Sequence, residues 1–153
     1  MVKYSIYSFF IVLGLTSCDS PALFDQNISI PDRSWTYDQK PTFPIQIEDK
    51  NAKYNIYINV RHSKAYDYSN LYVLLAEKGS KLKDTAYRKE IQLAELDGRW
   101  LGKSAGSVYQ MEYLAKENFS FPDTGKYTFT IEQNMRVNPL KDIVDIGLKV
   151  VKK

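Results

Sequence analysis

The chain has 153 residues, a formal net charge of +3 and a single cysteine. That length suits one domain with a sizeable core. Positive and negative charges are mixed along the chain, without the basic stripe of a nucleic-acid-binding protein, so we exclude nucleic acid as a partner. One cysteine cannot form an internal disulfide. The stability of the domain must therefore come from its packed core.

The first residues have the three parts of a secretory signal peptide in the usual order. Lys3 gives a positive start, residues 9–13 form an apolar block, and small residues lead to Cys18. A membrane-spanning helix needs about 20 apolar residues, and this block is shorter. We therefore predict a signal peptide over residues 1–17 that is cleaved from the mature protein.

The cleavage site itself is specific. Leu15-Thr16-Ser17-Cys18 resembles the bacterial lipobox, in which the cysteine is acylated and the chain is cut just before it. Each buried methylene contributes about 0.8 kcal/mol, so two or more acyl chains hold a protein firmly at a membrane. We predict that Cys18 is the lipid attachment point, that residues 18–31 form the lipidated N-terminus and a tether, and that residues 32–153 form the folded domain.

The folded region alternates apolar and polar residues with a period of two, which is typical of half-buried β-strands. Runs of this kind cover residues 43–47, 54–60, 71–75, 91–93, 127–131 and 146–150. Turn-forming residues separate them at 48–51, 78–81, 97–98 and 122–125. The sequence predicts an all-β fold, an antiparallel β-sandwich of roughly seven or eight strands.

Two local patterns refine this prediction. Residues 140–144 are compatible with one helical turn before the last strand. Asp123-x-Gly125-x-Tyr127 resembles the tyrosine corner of β-sandwiches, in which a tyrosine hydroxyl binds backbone groups a few residues upstream.

No set of residues predicts catalysis or a metal site. His62 is the only histidine and follows Arg61 at a predicted strand end, so we interpret it as a surface or turn residue. A Cys–His pair is excluded because Cys18 would be acylated, and no G-x-S-x-G elbow is present. The glycines of DGRWLGKSAG at 97–106 indicate a hairpin with a close backbone approach rather than a phosphate-binding loop. We predict no enzyme activity, no metal and no cofactor.

Aromatic residues offer the clearest candidates for binding. Tyr66, Tyr68, Trp100, Tyr109 and Tyr113 lie in or beside predicted loops or on strand faces. Tyrosine, tryptophan and arginine dominate the binding energy of many protein interfaces, and aromatic rings also stack on sugars. The alternative is that most of these rings pack in the core or across strands.

Several stretches, taken in order along the chain, resemble the gliding-motility lipoprotein GldH family of Bacteroidota. They follow the lipobox and the short IPDRSW segment at 30–35, and they are YNIYINVRHSKAYDYSNLYV (54–73), DGRWLGKSAG (97–106), FPDTGKYTFTIEQNMR (121–136) and DIGLKV (145–150). The resemblance implies a non-catalytic lipoprotein that is needed for gliding and for the type IX secretion system. It also implies that the partners are protein components of that machinery.

Among the positions that match, five are predicted to contact a partner: Arg61, Tyr66, Tyr68, Trp100 and Arg136. Two functions stay open at this point, a scaffold of the gliding and secretion apparatus and a glycan-binding surface lipoprotein. We expect the protein to be held by its lipid at the periplasmic face of the outer membrane. Asp19 leaves the inner membrane as an alternative, because an aspartate directly after the cysteine retains lipoproteins there in some Gram-negative bacteria.

Overall fold

A computed structural model describes residues 22–153, and within them the chain forms eleven β-strands and one short 3-10 helix, Pro31–Arg33. The predicted signal peptide and Cys18 lie outside the described residues. The strands, in chain order, are β1 (Ala22–Ser29), β2 (Ser34–Trp35), β3 (Thr42–Ile47), β4 (Tyr54–Ser63), β5 (Asn70–Gly79), β6 (Leu82–Gln92), β7 (Lys103–Ala105), β8 (Val108–Phe119), β9 (Gly125–Gln133), β10 (Leu140–Lys141) and β11 (Ile143–Lys152).

The strands form two main sheets whose apolar faces enclose one core. Sheet A has the order β1-β11-β4-β8-β7, sheet B is the small pair β10-β2, and sheet C has the order β3-β9-β5-β6. Every pairing between these strands is antiparallel. This arrangement confirms the predicted all-β antiparallel sandwich.

The alternation in the sequence sets which side chains face the core. In β9, Tyr127, Phe129 and Ile131 are buried, whereas the intervening Thr128 and Thr130 are partly exposed. The same pattern buries one face of β3, β4, β5 and β11. Burying a large apolar side chain contributes roughly 1.5–3 kcal/mol, so these faces hold the two sheets together.

The predicted number of strands was too low. The short strands β2, β7 and β10 have two or three residues each, which is too few to show alternation. The twelve-residue β8 was missed although Tyr109, Met111, Tyr113 and Ala115 alternate along it. Its pairing with β4 contains two register shifts, near Ile56, and most of its residues are partly or fully exposed.

The structure also corrects the predicted boundary between tether and domain. Residues 22–29, which we assigned to the tether, form β1 and pair with β11 from Ala22 opposite Val151 to Ser29 opposite Asp145. Without β1, β11 would be an edge strand of sheet A, and residues 22–29 pair with its backbone groups. Partial burial of Phe24 and Ile28 against the core adds to this pairing. The domain therefore includes residues that the sequence pattern had placed outside it.

The helical turn predicted at 140–144 is wrong. Leu140 and Lys141 form β10, Ile143 begins β11, and Asp142 between them has a positive φ of 66°. The apolar residues of this stretch instead take part in two strand pairings: Leu140 lies opposite Trp35 and Ile143 lies opposite His62.

The tyrosine corner at the start of β9 is present. The Tyr127 hydroxyl donates to the backbone oxygen of Asp123 at 2.8 Å and accepts from the backbone nitrogen of the same residue at 3.2 Å. The close backbone approach predicted for residues 97–106 is present too, although the segment runs from a turn before Trp100 to a second turn after β7, rather than forming one hairpin. Gly102 has a φ of +82°, and a Cβ there would lie 2.1 Å from the backbone oxygen of Gln110.

The antiparallel register gives the sandwich two distinct ends. Ala22 begins β1 beside the end of β11, and the start of β4 at Tyr54 lies there as well; we call this the proximal end. The distal end carries the end of β4 at Ser63, the start of β5 at Asn70 and the end of β9 at Gln133. The first described residue and the distal loops are thus separated by the length of the strands.

Candidate functional site

A groove of about 440 Å³ lies at the distal end, on the outer face of sheet C. It is bounded by β5, β6 and the loop that follows β9, and we call it the distal groove. Its lining includes Tyr68, Tyr72, Arg88, Met135, Arg136 and Val137. Tyr68 and Arg136 are two of the five residues that the sequence predicted to contact a partner.

The loop over residues 134–138 is held in place on several sides. The backbone amide of Asn134 donates to the backbone oxygen of Tyr72 at 2.8 Å. From the other side, Tyr37 donates its hydroxyl to the backbone oxygen of Met135 at 2.9 Å and its amide to the Asn138 side chain at 3.0 Å. Two fixed sides give the loop a defined shape, although its tip is exposed.

A buried side chain supports the same loop from within. The amide group of Gln133, which is 3% exposed, donates to the backbone oxygen of Val137 at 3.1 Å and accepts from the Met135 amide at 3.0 Å. The Tyr72 amide also approaches the Met135 sulfur, at 3.3 Å. These contacts present Arg136 and Val137 to solvent in a fixed position.

The charged side chains that line the distal groove are both arginines. Arg88 lies over the Tyr72 ring, 4.0 Å from its centroid, a cation–π contact. The nearby Glu90 carboxylate raises the pKa of the Tyr72 phenol, and Glu90 itself accepts from the Asn70 amide at 2.7 Å. Among residues 22–153, neither Arg88 nor Arg136 forms a salt bridge.

Behind the groove, an aromatic cluster connects it to the core. Tyr68 contacts Tyr66 edge to face at 5.6 Å, and Trp100 lies 6.4 Å from Tyr66 and 4.6 Å from His62 between ring centroids. Tyr66 is 4% exposed and donates its hydroxyl to the backbone oxygen of Asn70. Tyr66 therefore positions Tyr68, and Tyr66 and Trp100 together close the end of the core.

Arg61, the fifth predicted contact residue, lies away from the groove. It is on the outer face of sheet A, where its Nε donates to Asp145 at 2.6 Å. Asp145 is buried, with its side chain 1% exposed, whereas that of Arg61 is 43% exposed. The main contact that the structure gives Arg61 is this neutralisation of a buried carboxylate in the neighbouring strand.

His62 is buried, so its interpretation as a surface or turn residue is wrong. It lies within β4 and is 0% exposed. Its Nδ1 donates to the backbone oxygen of Ser63 at 2.9 Å, and its Nε2 is buried without a hydrogen-bond partner in the described part of the chain. Burial lowers the pKa of His62 from its ordinary value of 6.5.

This burial makes the stability of the domain depend on pH. Below pH 6.5 the unfolded chain binds a proton at His62 more readily than the folded chain does, so the free energy of unfolding should decrease as the pH falls. Because the chain has one histidine, His62→Phe should flatten this dependence. Urea unfolding of both proteins between about pH 5.5 and 7.5 tests the prediction, and equal slopes would contradict it.

The sequence missed Tyr72, Arg88 and Met135 as groove residues. A signal existed for Tyr72, because it lies between the inward-facing Leu71 and Val73 and must therefore point outward. Arg88 lies on an edge strand with many charged residues, and no local pattern distinguishes it. Its place beside the 134–138 loop follows from pairing of β6 with β5 and of β5 with β9.

A larger depression of about 610 Å³ lies next to the distal groove and is lined by Ser69, Glu90, Glu95 and Leu96, among others. It contains none of the predicted contact residues, and the charged side chains along it are carboxylates. In the described residues, no group of three or more His, Cys, Asp or Glu side chains is arranged to hold a metal ion. The described part of the chain also contains no helix long and apolar enough to span a bilayer.

Fold and site together describe an antiparallel β-sandwich whose distal end carries an aromatic- and arginine-lined groove. The sequence profile described as GldH lipoprotein matches residues 22–150. The gliding motility lipoprotein GldH homolog of Christiangramia forsetii is 31% identical over 97% of this chain and 96% of the relative. The gliding motility lipoprotein GldH of Flavobacterium johnsoniae is 30% identical over 91% of this chain and 90% of the relative.

The chain therefore belongs to the GldH lipoprotein family. Membership makes it a lipid-anchored protein of the cell envelope and connects it with gliding motility. The relatives carry the names of motility lipoproteins rather than of enzymes. No solved structure matches the chain.

Proposed function

We propose that the protein is a non-catalytic scaffold that holds another protein of the gliding and type IX secretion machinery at the membrane. The observation that carries this proposal is the arrangement of the two ends of the sandwich. The chain enters at Ala22 on the proximal end, whereas Tyr68 and Arg136 line a groove at the distal end. A partner bound in this groove would face away from the lipid anchor.

The short connection between the predicted anchor at Cys18 and the domain also supports the scaffold proposal. Three residues, 19–21, separate Cys18 from the first residue of β1. A chain of this length reaches at most roughly 10–15 Å, so the domain stays at the membrane surface. Anchoring of this kind raises the local concentration of the domain near other membrane-held components.

Glycan binding is the second candidate. Tyr68 and Tyr72 are partly exposed in the distal groove, and exposed tyrosine rings can stack on sugars. Protein binding is favoured by the fixed 134–138 loop and the two arginines, because arginine and tyrosine are the residues that dominate protein interfaces.

Deletion of the gene tests the proposed function. Secreted cargo should remain in the periplasm and, in a gliding host, spreading should be lost. Cys18→Ser, expressed with a signal sequence that still exports the protein, should lose palmitate labelling and restore export only in part, because the local concentration falls. Wild-type protein restoring both properties is the control. Normal cargo export in the deletion strain would contradict the scaffold proposal.

A further inference from the structure

We infer that the distal groove binds an acidic segment of a protein partner, one in which a carboxylate lies next to an aromatic or large apolar side chain. This inference rests on the proposed function and specifies the chemistry of the partner. The charge, the apolar lining and the rigidity of the groove all favour such a segment.

The charge of the groove selects an anionic occupant. The guanidinium groups of Arg88 and Arg136 line it, both residues are exposed, and neither has a salt-bridge partner in residues 22–153. The Glu90 carboxylate, which lies opposite Tyr72 in β6, accepts from the Asn70 side-chain amide rather than from either arginine. Charge-assisted hydrogen bonds from guanidinium to carboxylate are about twice as strong as neutral ones. A carboxylate from a partner would therefore supply the negative charge that these two arginines lack as a salt-bridge partner within residues 22–153.

The remaining lining is apolar enough to bind a neighbouring side chain. Tyr68 and Met135 are half-buried in the wall of the groove, and Val137 is 37% exposed at its rim. Met135 is part of the layer that packs against the core, so its position is fixed. An aromatic or large apolar side chain next to the carboxylate would cover Tyr68, Met135 and Val137 and release water from them.

The rigidity of the loop favours binding over a purely structural role. Tyr37 and Gln133 bind the backbone of Met135 and Val137, and the Tyr72 backbone oxygen accepts from the backbone amide of Asn134. None of these contacts uses the Arg136 side chain, which the loop carries into solvent. A binding surface that is fixed in advance loses less conformational entropy when the partner binds.

Fluorescence anisotropy on the lipidated protein in detergent micelles tests the inference. The probe is a fluorescein-labelled synthetic peptide of Gly-Asp-Phe-Glu repeats, and its control twin has Asn and Gln in place of Asp and Glu. We expect the acidic peptide to bind, the twin to bind at least about tenfold more weakly, and added salt to weaken binding. Arg88→Gln and Arg136→Gln should each reduce affinity about tenfold.

A matched variant separates local from general charge effects. Lys83→Gln removes one positive charge from the same strand as Arg88, but near its opposite end at the proximal side, and should leave peptide affinity unchanged. Equal binding of the two peptides, or equal loss in Lys83→Gln and Arg88→Gln, would overturn the inference. So would binding of an anionic polysaccharide such as polygalacturonate, lost in Arg136→Gln, with no binding of the acidic peptide.

The peptide test and the deletion test fail separately. If the deletion strain fails to export cargo but the acidic peptide does not bind, the inference about the groove is wrong and the scaffold proposal stands. If the peptide binds through the two arginines but the deletion strain exports cargo normally, the groove chemistry is right and the proposed cellular role is wrong.

Discussion

Phe129→Ala is expected to lower the free energy of unfolding by about 3–5 kcal/mol, because it removes a fully buried ring from the centre of a close-packed core. Phe129 lies opposite Phe43 on the neighbouring strand, and its ring contacts Phe121 edge to face at 6.4 Å between centroids. Neither neighbour can move to fill the space without losing its own contacts between the sheets. Urea unfolding followed by tryptophan fluorescence measures the change.

Thr128→Ala is the matched control for this prediction. Thr128 is adjacent in β9, but it points to the outer face of sheet C and is partly exposed. Its replacement should change the free energy of unfolding by less than about 1 kcal/mol. Similar losses in the two variants would show that the assigned inward face of β9 is wrong.

Lys116→Met should have an effect of similar size through electrostatics. The Lys116 ammonium group lies 2.7 Å from Oε1 of Glu77, and the two side chains are 13% and 3% exposed. This ion pair joins β8 of sheet A to β5 of sheet C. Removing the lysine leaves the Glu77 carboxylate buried without its cation. Losing one partner of a buried pair costs about 3–5 kcal/mol.

The double variant Glu77→Leu, Lys116→Met tests whether the cost of Lys116→Met comes from the unpaired Glu77 carboxylate or from other lost contacts of Lys116. If the cost of Lys116→Met comes from the abandoned carboxylate, replacing both charges with apolar side chains should recover most of the lost stability. If it comes instead from the contacts of Lys116 with the Tyr87 and Phe119 rings, at 4.5 and 4.3 Å, the double variant should remain as unstable as the single one. Measuring the free energy of unfolding of all three proteins decides between these causes.

The proximal and distal ends of the sandwich differ, and this difference suits a lipid-anchored protein. Strands that run from one end to the other separate the first described residue from the loops at the far end. Loops can vary and bind, since the strands below them hold the fold. In this protein the distal loops carry Tyr68 and Arg136, the strands β5 and β6 carry Tyr72 and Arg88, and the first described residue lies at the proximal end.

Local patterns in the sequence correctly predicted several features of the fold that depend on residues close together in the chain. Alternation along β9 identified Tyr127, Phe129 and Ile131 as inward-facing, because neighbouring side chains of a strand point to opposite faces. The tyrosine corner was found because the hydroxyl of Tyr127 binds the backbone only four residues away. The close backbone approach at 97–106 was found because it needs a glycine locally, as the positive φ of Gly102 shows.

Tertiary structure decided which of these elements meet and what lies between them. Alternation does not reveal that β11 pairs with residues 22–29, or that a histidine at a predicted strand end is covered by Trp100 and Tyr66. The distal groove needs both Arg88 and Arg136 in its lining, and they come from segments joined only through the pairing of β6, β5 and β9. The sequence by itself therefore determined the inward faces of the strands with clear alternation, such as β3, β5 and β9. The neighbours of each strand, and with them the groove, depend on contacts between distant segments that no local pattern records.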